Sequence, residues 1–263
     1  MFWPFRREVK LVCFDLDDTL YNFILPQSET EAHIAKFLES EIKKLKSKNK
    51  KNKNMLSAFT VLSAFNDVKS RHMHHDIDPS GFSRSLWLKE TIGRLDESSS
   101  VGINWNTLIQ KCDSYEDKYW KYIIPRIKIQ KDAVDTLEYL KKKGLKIAAI
   151  TDSDGGKDIK INRIKKLGIE KYFDYIITSD DTGKNKPSVE NWESLIKISS
   201  IPPKDCMMIG DHPEIDLINA KKLGFIAVWT KEYVNSDLHE RYVDYEIHKI
   251  KDVIDIVKKI NNY

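Results

Sequence analysis

Asp15 and Asp17 close the apolar run Val9-Lys10-Leu11-Val12-Cys13-Phe14, within the string Phe14-Asp15-Leu16-Asp17-Asp18-Thr19-Leu20. An ionised carboxylate beside a core is costly unless a cation or hydrogen-bond donors compensate it. Alternation along an extended chain puts both acids on the same side. Two like charges that close either bind a divalent cation or split into an acid and a base. Asp also favours helix caps and turns, but three acids within residues 15–18, directly after an apolar run, favour chemistry.

Other places in the chain carry matching groups. The string Ile150-Thr151-Asp152-Ser153-Asp154-Gly155-Gly156 offers a hydroxyl and then a glycine-rich lead into a helix. Backbone N–H groups at a helix N-terminus suit an anionic phosphate, although alone such a Thr or Asp is as readily a cap. Lys186 stands before Pro187 and a helical stretch, so its ammonium either points inward or lies on the surface as an ordinary lysine. Gly210-Asp211-His212-Pro213-Glu214-Ile215-Asp216 again ends an apolar run in an acid, with a second acid five positions on. Asp15, Asp17 and Asp211 are hard oxygen ligands, which favour Mg2+ over zinc. A carboxylate nucleophile, an acid/base carboxylate, a lysine, a hydroxyl and Mg2+ together make a kit for phosphoryl transfer.

Short apolar runs position these groups. Residues 9–15, 145–151, 174–179, 205–210 and 225–230 are near-continuously apolar and too short for helices, as strands covered on both faces are. Helical periodicity separates the later runs. In 132–143, Val134, Leu137 and Leu140 share a face, with Asp132 as N-cap and Gly144 as C-cap; 157–167 aligns Ile161, Ile164 and Leu167; 188–199 and 214–223 follow. The alternation predicts an α/β fold, a doubly wound, Rossmann-like parallel sheet whose site lies beyond the carboxyl ends of its strands.

Residues 21–127 differ. Ser28 and Glu31 form a capping-box pattern ahead of an apolar stripe of Ile34, Leu38, Ile42 and Leu45, and helix-like stretches follow at 56–73, 83–95 and 104–123. This predicts a helical domain at 21–127, inserted after the first strand over the mouth of the site, with 1–20 and 128–263 as the catalytic core.

The chain has 263 residues, 41% hydrophobic and 32% charged, enough for a full core. No apolar stretch approaches the roughly 20 residues that span a bilayer, and the start lacks the layout of a secretory signal. Cys13, Cys112 and Cys206 show no metal-ligand spacing, and Cys13 and Cys206, in apolar strand-like runs, read as buried thiols of a cytoplasmic protein. The net charge of +4 rests on Lys43, Lys44, Lys46, Lys48, Lys50, Lys51 and Lys53; without that tract the balance turns slightly acidic. Asn49, Asn52 and Asn54 interleave the tract and no aromatic does, which argues for a solvated linker rather than nucleic-acid binding. His72, His74 and His75 with Asp76 read as a solvated helix end rather than a metal site.

Taken in order, Asp15-Leu16-Asp17-Asp18-Thr19, Thr151, Lys186-Pro187 and Gly210-Asp211 with Asp216 resemble the four motifs of the haloacid dehalogenase-like hydrolase superfamily. The resemblance covers residues 9–20 and about 130–235, and the position of the insertion resembles the C1 type of cap. It implies Asp15 as a nucleophile forming an aspartyl-phosphate and Asp17 as the group that protonates the leaving oxygen and then deprotonates water. It further implies that Thr151, Lys186 and backbone amides near Leu16 and Asp152 hold the phosphoryl oxygens. Mg2+ would be bound by Asp15, the Asp17 carbonyl and Asp211, with Asp216 orienting Lys186 or a metal-bound water. Asp152 and Asp154 depart from the family pattern, where Asn or Gly is common.

The expected activity is a Mg2+-dependent phosphatase for a small phosphorylated metabolite, with no nucleic-acid or membrane partner. Asp17 disfavours a dehalogenase, which needs no such proton donor. A phosphomutase with the same motifs and a non-catalytic phosphate- or protein-binding module are the alternatives. Sequence leaves the substrate and oligomeric state open.

Overall fold

In the computed structural model, which describes residues 7–46, 56–73, 78–99, 101–233 and 242–263, the apolar runs become strands. They are β1 (Leu11–Phe14), β2 (Lys146–Thr151), β3 (Tyr175–Thr178), β4 (Cys206–Gly210) and β5 (Ile226–Thr230). A further strand, β6 (Tyr245–Ile247), is only three residues long and too short to show a period in sequence. The sheet is parallel throughout, in the order β3-β2-β1-β4-β5-β6. Every residue of β1, β4 and β5 is buried, which is why these strands read as continuous rather than alternating.

The helices are α1 (Ile24–Lys46), α2 (Ala58–His72), α3 (Arg84–Ser98), α4 (Asn106–Ile109), α5 (Cys112–Ile123), α6 (Lys131–Lys142), α7 (Lys157–Lys166), α8 (Ser179–Thr182), α9 (Glu190–Ser199), α10 (Ile218–Leu223) and α11 (Val253–Asn261). The chain divides into two compact units. One comprises Met1–Phe23, Ile127–Ser153 and Lys157–Tyr263; the other comprises Ile24–Arg126 and Asp154–Gly156.

In the first unit, Leu11, Cys13, Ala148, Ile150, Met208 and Ala227 meet Trp192, Leu195, Leu217 and Phe225 in one buried cluster on a face of the sheet. In the second, α1 packs on α2 and α5, and α3 packs on α2 and α5. Ile34, Leu38, Val61, Phe65, Trp87 and Ile92 are among its buried side chains, and Glu31 is paired there with Lys69 at 2.7 Å.

Several sequence expectations are corrected. Helix α1 begins at Ile24, so Ser28 lies inside it and bonds to the Leu25 carbonyl rather than capping, while Glu31 serves the Lys69 pair. The stretch 104–123 is two helices, α4 and α5. Helix α6 is preceded by Gln130 as its cap residue, which places Asp132 in the first turn. The stretch 214–223 is a π-turn, Pro213–Leu217, followed by α10. His72 bonds to Glu90 at 2.8 Å; His74, His75, Asp76 and the lysine tract from residue 47 onward lie outside the described residues. No helix among the described residues is long and apolar enough to cross a membrane. The three cysteines are free and buried.

Candidate active site

The order of the sheet sets the site. β1 is flanked by β2 on one side and β4 on the other, and the strands that follow run outward in opposite directions. Beyond the carboxyl ends at such a reversal, the loops separate and leave room for a ligand. Asp15 continues the β1–β4 ladder, donating its N–H to the Ile209 carbonyl at 2.9 Å, so its side chain is fixed at the strand end. The chain then turns sharply. Asp18 adopts a left-handed backbone (φ 57°), tolerable for Asp, and its carboxylate accepts from the Phe23 N–H at 2.8 Å. A bridge between Asp17 and Tyr21 closes the turn.

Lys186 reaches this point from the loop after β3, through a cis peptide to Pro187. Its Nζ lies 2.5 Å from Asp15 Oδ1 and 2.7 Å from Asp216 Oδ1, with all three side chains buried. Asp216 is presented by the π-turn after β4, a local widening of the helix often used at functional sites. Its Oδ2 accepts from the His212 N–H at 3.0 Å. Gly210 makes this seat possible: a Cβ there would fall 2.4 Å from the Asp216 Cβ and 2.5 Å from its Oδ2. Asp211 accepts from the Thr19 hydroxyl at 3.3 Å, and Trp229 Nε1 donates to the Asp211 carbonyl at 2.8 Å.

Charge is unbalanced here. Asp15, Asp211 and Asp216 each offer an oxygen, and these atoms lie within 4.8 Å of one another. Lys186 supplies one positive charge against the three carboxylates. Burial pushes Asp211 up to about 9, aided by the charges of Asp216 and Asp15. Burial likewise pushes Asp15 up to about 7, against the pull of Lys186. Burial works to lower Lys186, but Asp15 and Asp216 outweigh it and hold the ammonium well above its ordinary value. Three hard oxygen donors with an excess of negative charge fit a divalent cation such as Mg2+.

The remaining expected residues fall as follows. Thr151 is the buried last residue of β2 and pairs in register with Thr178. Asp152 accepts from the Lys186 backbone N–H at 2.8 Å, and burial pushes its carboxyl up. Ser153 N–H donates to the Ser179 hydroxyl at 2.7 Å and Ser153 Oγ donates to Asp180 Oδ1 at 2.9 Å, further ties between the segments that follow β2 and β3. Leu16 is buried, its carbonyl accepting from Leu20 N–H at 3.0 Å.

Asp17 is directed elsewhere. Its carboxylate accepts from Arg163 at 2.6 and 2.7 Å, one oxygen to each guanidinium nitrogen, and from Lys160 Nζ at 3.1 Å. Although burial works to raise it, Arg163 and Lys160 hold this carboxyl far below the usual range. The sequence reading missed both bases, because it gave the buried side of this stretch to Ile161, Ile164 and Leu167. Lys160 and Arg163 are themselves buried, along with Ile164, whereas Ile161 and Leu167 are only partly covered. Their spacing of three was the available signal, since residues three apart on a helix share a face.

A family model described as haloacid dehalogenase-like hydrolase matches residues 9–224. A glyceraldehyde 3-phosphate phosphatase of Methanocaldococcus jannaschii is 29% identical over 176 residues, spanning 63% of this chain and 76% of that protein. A ribulose-1,5-bisphosphate 5-phosphatase of Halopiger xanaduensis is 29% identical over 150 residues, spanning 54% and 62%. Among solved structures, a 2-haloacid dehalogenase from Pseudomonas syringae pv. Tomato superposes with a TM-score of 0.69 at 22% identity, covering 95% of this chain and 99% of that one.

Proposed function

This chain belongs to the haloacid dehalogenase-like hydrolases, and from that premise we propose that it is a Mg2+-dependent phosphatase releasing phosphate from a small phosphorylated metabolite through an aspartyl-phosphate. The observation that carries the reading is the buried Asp15 carboxylate 2.5 Å from the Lys186 ammonium, with Asp211 and Asp216 beside it. Relatives named as phosphatases support hydrolysis of a phosphate ester, and the sugar phosphates in their names are the first substrates to screen.

An Asp15 oxygen attacks phosphorus, and the bond from phosphorus to the leaving oxygen breaks. Water then attacks phosphorus, the bond to Asp15 breaks, and inorganic phosphate leaves. In this reading Asp17 protonates the leaving oxygen and then takes the proton of that water, which requires its carboxylate to leave the Arg163 and Lys160 contacts that hold it far below the usual carboxylate range. Lys186 offsets the repulsion between a carboxylate and a phosphate dianion, which is severe in a buried site. Asp15, Asp211 and the Asp17 carbonyl would hold Mg2+, and that cation would supply charge neutralisation for the transferring phosphoryl group. Thr151 and the N–H groups near Leu16 and Asp152 take the remaining phosphoryl oxygens, and the helical unit serves as the cap that selects the substrate.

The test is release of phosphate from p-nitrophenyl phosphate with Mg2+, comparing wild type with Asp15→Asn. We expect turnover in wild type and a loss of at least about 1,000-fold in the variant. Equal activity in the two proteins would overturn the nucleophile assignment.

A further inference from the structure

The helical unit contains a buried cation with no carboxylate partner. Arg84, the first residue of α3, is 3% exposed, and its guanidinium forms no ion pair with any described residue. Its one side-chain hydrogen bond runs from Nη1 to the Phe82 carbonyl at 2.6 Å, and its Nε is buried without an acceptor. Nearby acids are engaged elsewhere. Glu116 accepts from the Arg84 backbone N–H at 2.7 Å, at the start of α3, and Glu31 accepts from Lys69 at 2.8 and 2.7 Å. Asp154, in the same unit, is buried but makes no ion pair with Arg84.

A charge taken out of water is costly unless an opposite charge and hydrogen bonds compensate it. The ring centroids of Trp87, Trp120 and Tyr119 lie 4.5, 4.8 and 5.5 Å from the guanidinium carbon. Ring faces attract a cation, but they accept nothing from the N–H groups in the guanidinium plane. Tyr119, on α5, which packs against α3, adds a second donor beside the first. Its hydroxyl is buried without an acceptor. Burial pushes that hydroxyl up to about 12, with Glu31 and Asp154 adding to the effect and Arg84 opposing it, so it keeps its proton. Apolar side chains would fill the same volume without either donor. A permanent cation and a hydroxyl, buried side by side and both lacking an acceptor, match a group that brings negative charge and oxygen lone pairs.

We propose that Arg84 and Tyr119 form a recognition site, within the helical unit, for an oxyanion group, carboxylate or phosphate. Arg84 supplies the charge and the Nε–H, Tyr119 supplies a second hydrogen bond, and the indoles of Trp87 and Trp120 hold the guanidinium plane. Two carriers present such a group: a phosphorylated substrate with a second anionic group, and a free anion in solution. The first carrier rests on the phosphatase reading above, and the second is independent of it. With the first carrier, Arg84 determines specificity and selects among phosphate esters by what they bear beyond the ester.

Two arms on the full chain test the site and tell the carriers apart, with Arg84→Met and Tyr119→Phe as variants. Should Arg84→Met fail to fold, Arg84→Lys takes its place, and Tyr119→Phe keeps the ring in either case. In the first arm malonate is added with a chelator present, and the thermal shift is read in wild type, both variants and Lys186→Met. A shift present in wild type and Lys186→Met but lost in the two variants assigns the site to a free anion. In the second arm 3-phosphoglycerate and glycerol 3-phosphate, which differ by a carboxylate against a hydroxymethyl group, are hydrolysed with Mg2+. A fall of at least about 10-fold in the ratio of their kcat/KM values in both variants assigns the site to the substrate. A merely packing role would move both esters alike and leave that ratio as it is. An unaltered ratio, together with a malonate response that is absent, indifferent to Arg84 or lost in Lys186→Met, overturns the site. If wild type hydrolyses neither ester nor p-nitrophenyl phosphate, the phosphatase reading fails instead, and the malonate arm alone decides the site.

Discussion

Asp152 Oδ1 accepts a hydrogen bond from the Lys186 backbone N–H at 2.8 Å, so the loop that ends β2 holds the loop that delivers the lysine. The acid that looks out of place in sequence beside a phosphate loop is a clasp between two loops. Removing one partner of a buried bond costs about 1–3 kcal/mol. Asp152→Ala should therefore lower the unfolding free energy by about that amount and lower kcat several-fold by loosening Lys186. Asp152→Asn keeps the accepting oxygen and should stay within about threefold of wild type. Denaturant unfolding and steady-state rates check this; indistinguishable Ala and wild-type proteins would remove the clasp.

Gly210 gives a second prediction. Its missing side chain is the space in which Asp216 sits, with the nearest atoms 2.4–2.6 Å from a Cβ built there. Overpacking of this kind costs about 1–3 kcal/mol, and here the displaced group holds Lys186. Gly210→Ala should lose most activity while remaining folded. Gly93→Ala in α3, where a Cβ meets nothing within 4 Å, is the control and should be neutral or slightly stabilising. Equal activities for the two variants would show that the Asp216 seat is not needed.

The strands were legible because burial on both faces writes itself as an uninterrupted apolar run, as in Leu11-Val12-Cys13-Phe14. Asp15, Asp211, Asp216 and Lys186 were legible for the complementary reason, that polar groups closing such runs converge when the strands are parallel. Lys160 and Arg163 were not, because periodicity assigns charged residues to solvent and cannot see that a carboxylate on another segment will receive them. β6 and the π-turn at Pro213–Leu217 escaped for want of length. Ser28 misled because a capping pattern is local, and α1 begins ahead of it, at Ile24.

The proposed proton-transfer role of Asp17 predicts that substrates separate by leaving group. A positioned acid contributes most when the leaving oxygen is basic, typically 100- to 10,000-fold. Asp17→Asn should therefore cost about 100-fold or more in kcat on phenyl phosphate and markedly less on p-nitrophenyl phosphate, whose leaving oxygen needs little help. Side-by-side rates on the two esters measure the difference. The same factor on both would mean that Asp17 holds the site together without moving a proton.

The acidic cluster should tie stability to both pH and metal. Asp211 is pushed from an ordinary 3.8 up to about 9 by burial and by its acidic neighbours. Between those values the folded metal-free protein keeps a proton that the unfolded chain has released. Stability falls with rising pH wherever the folded state binds more protons, so the contribution of Asp211 is largest below about pH 4 and is lost as pH climbs toward 9. A cation bound to the ionised cluster stabilises only the folded state, and does so more strongly as proton competition fades. The Tm of the chelator-treated protein should therefore drop from pH 5 to pH 9, and the upward shift on adding Mg2+ should grow over the same range. Asp211→Asn should flatten the pH slope and abolish most of the Mg2+ shift. A Mg2+ shift that is equal at pH 5 and pH 8, or that survives in Asp211→Asn, would place the metal away from this cluster.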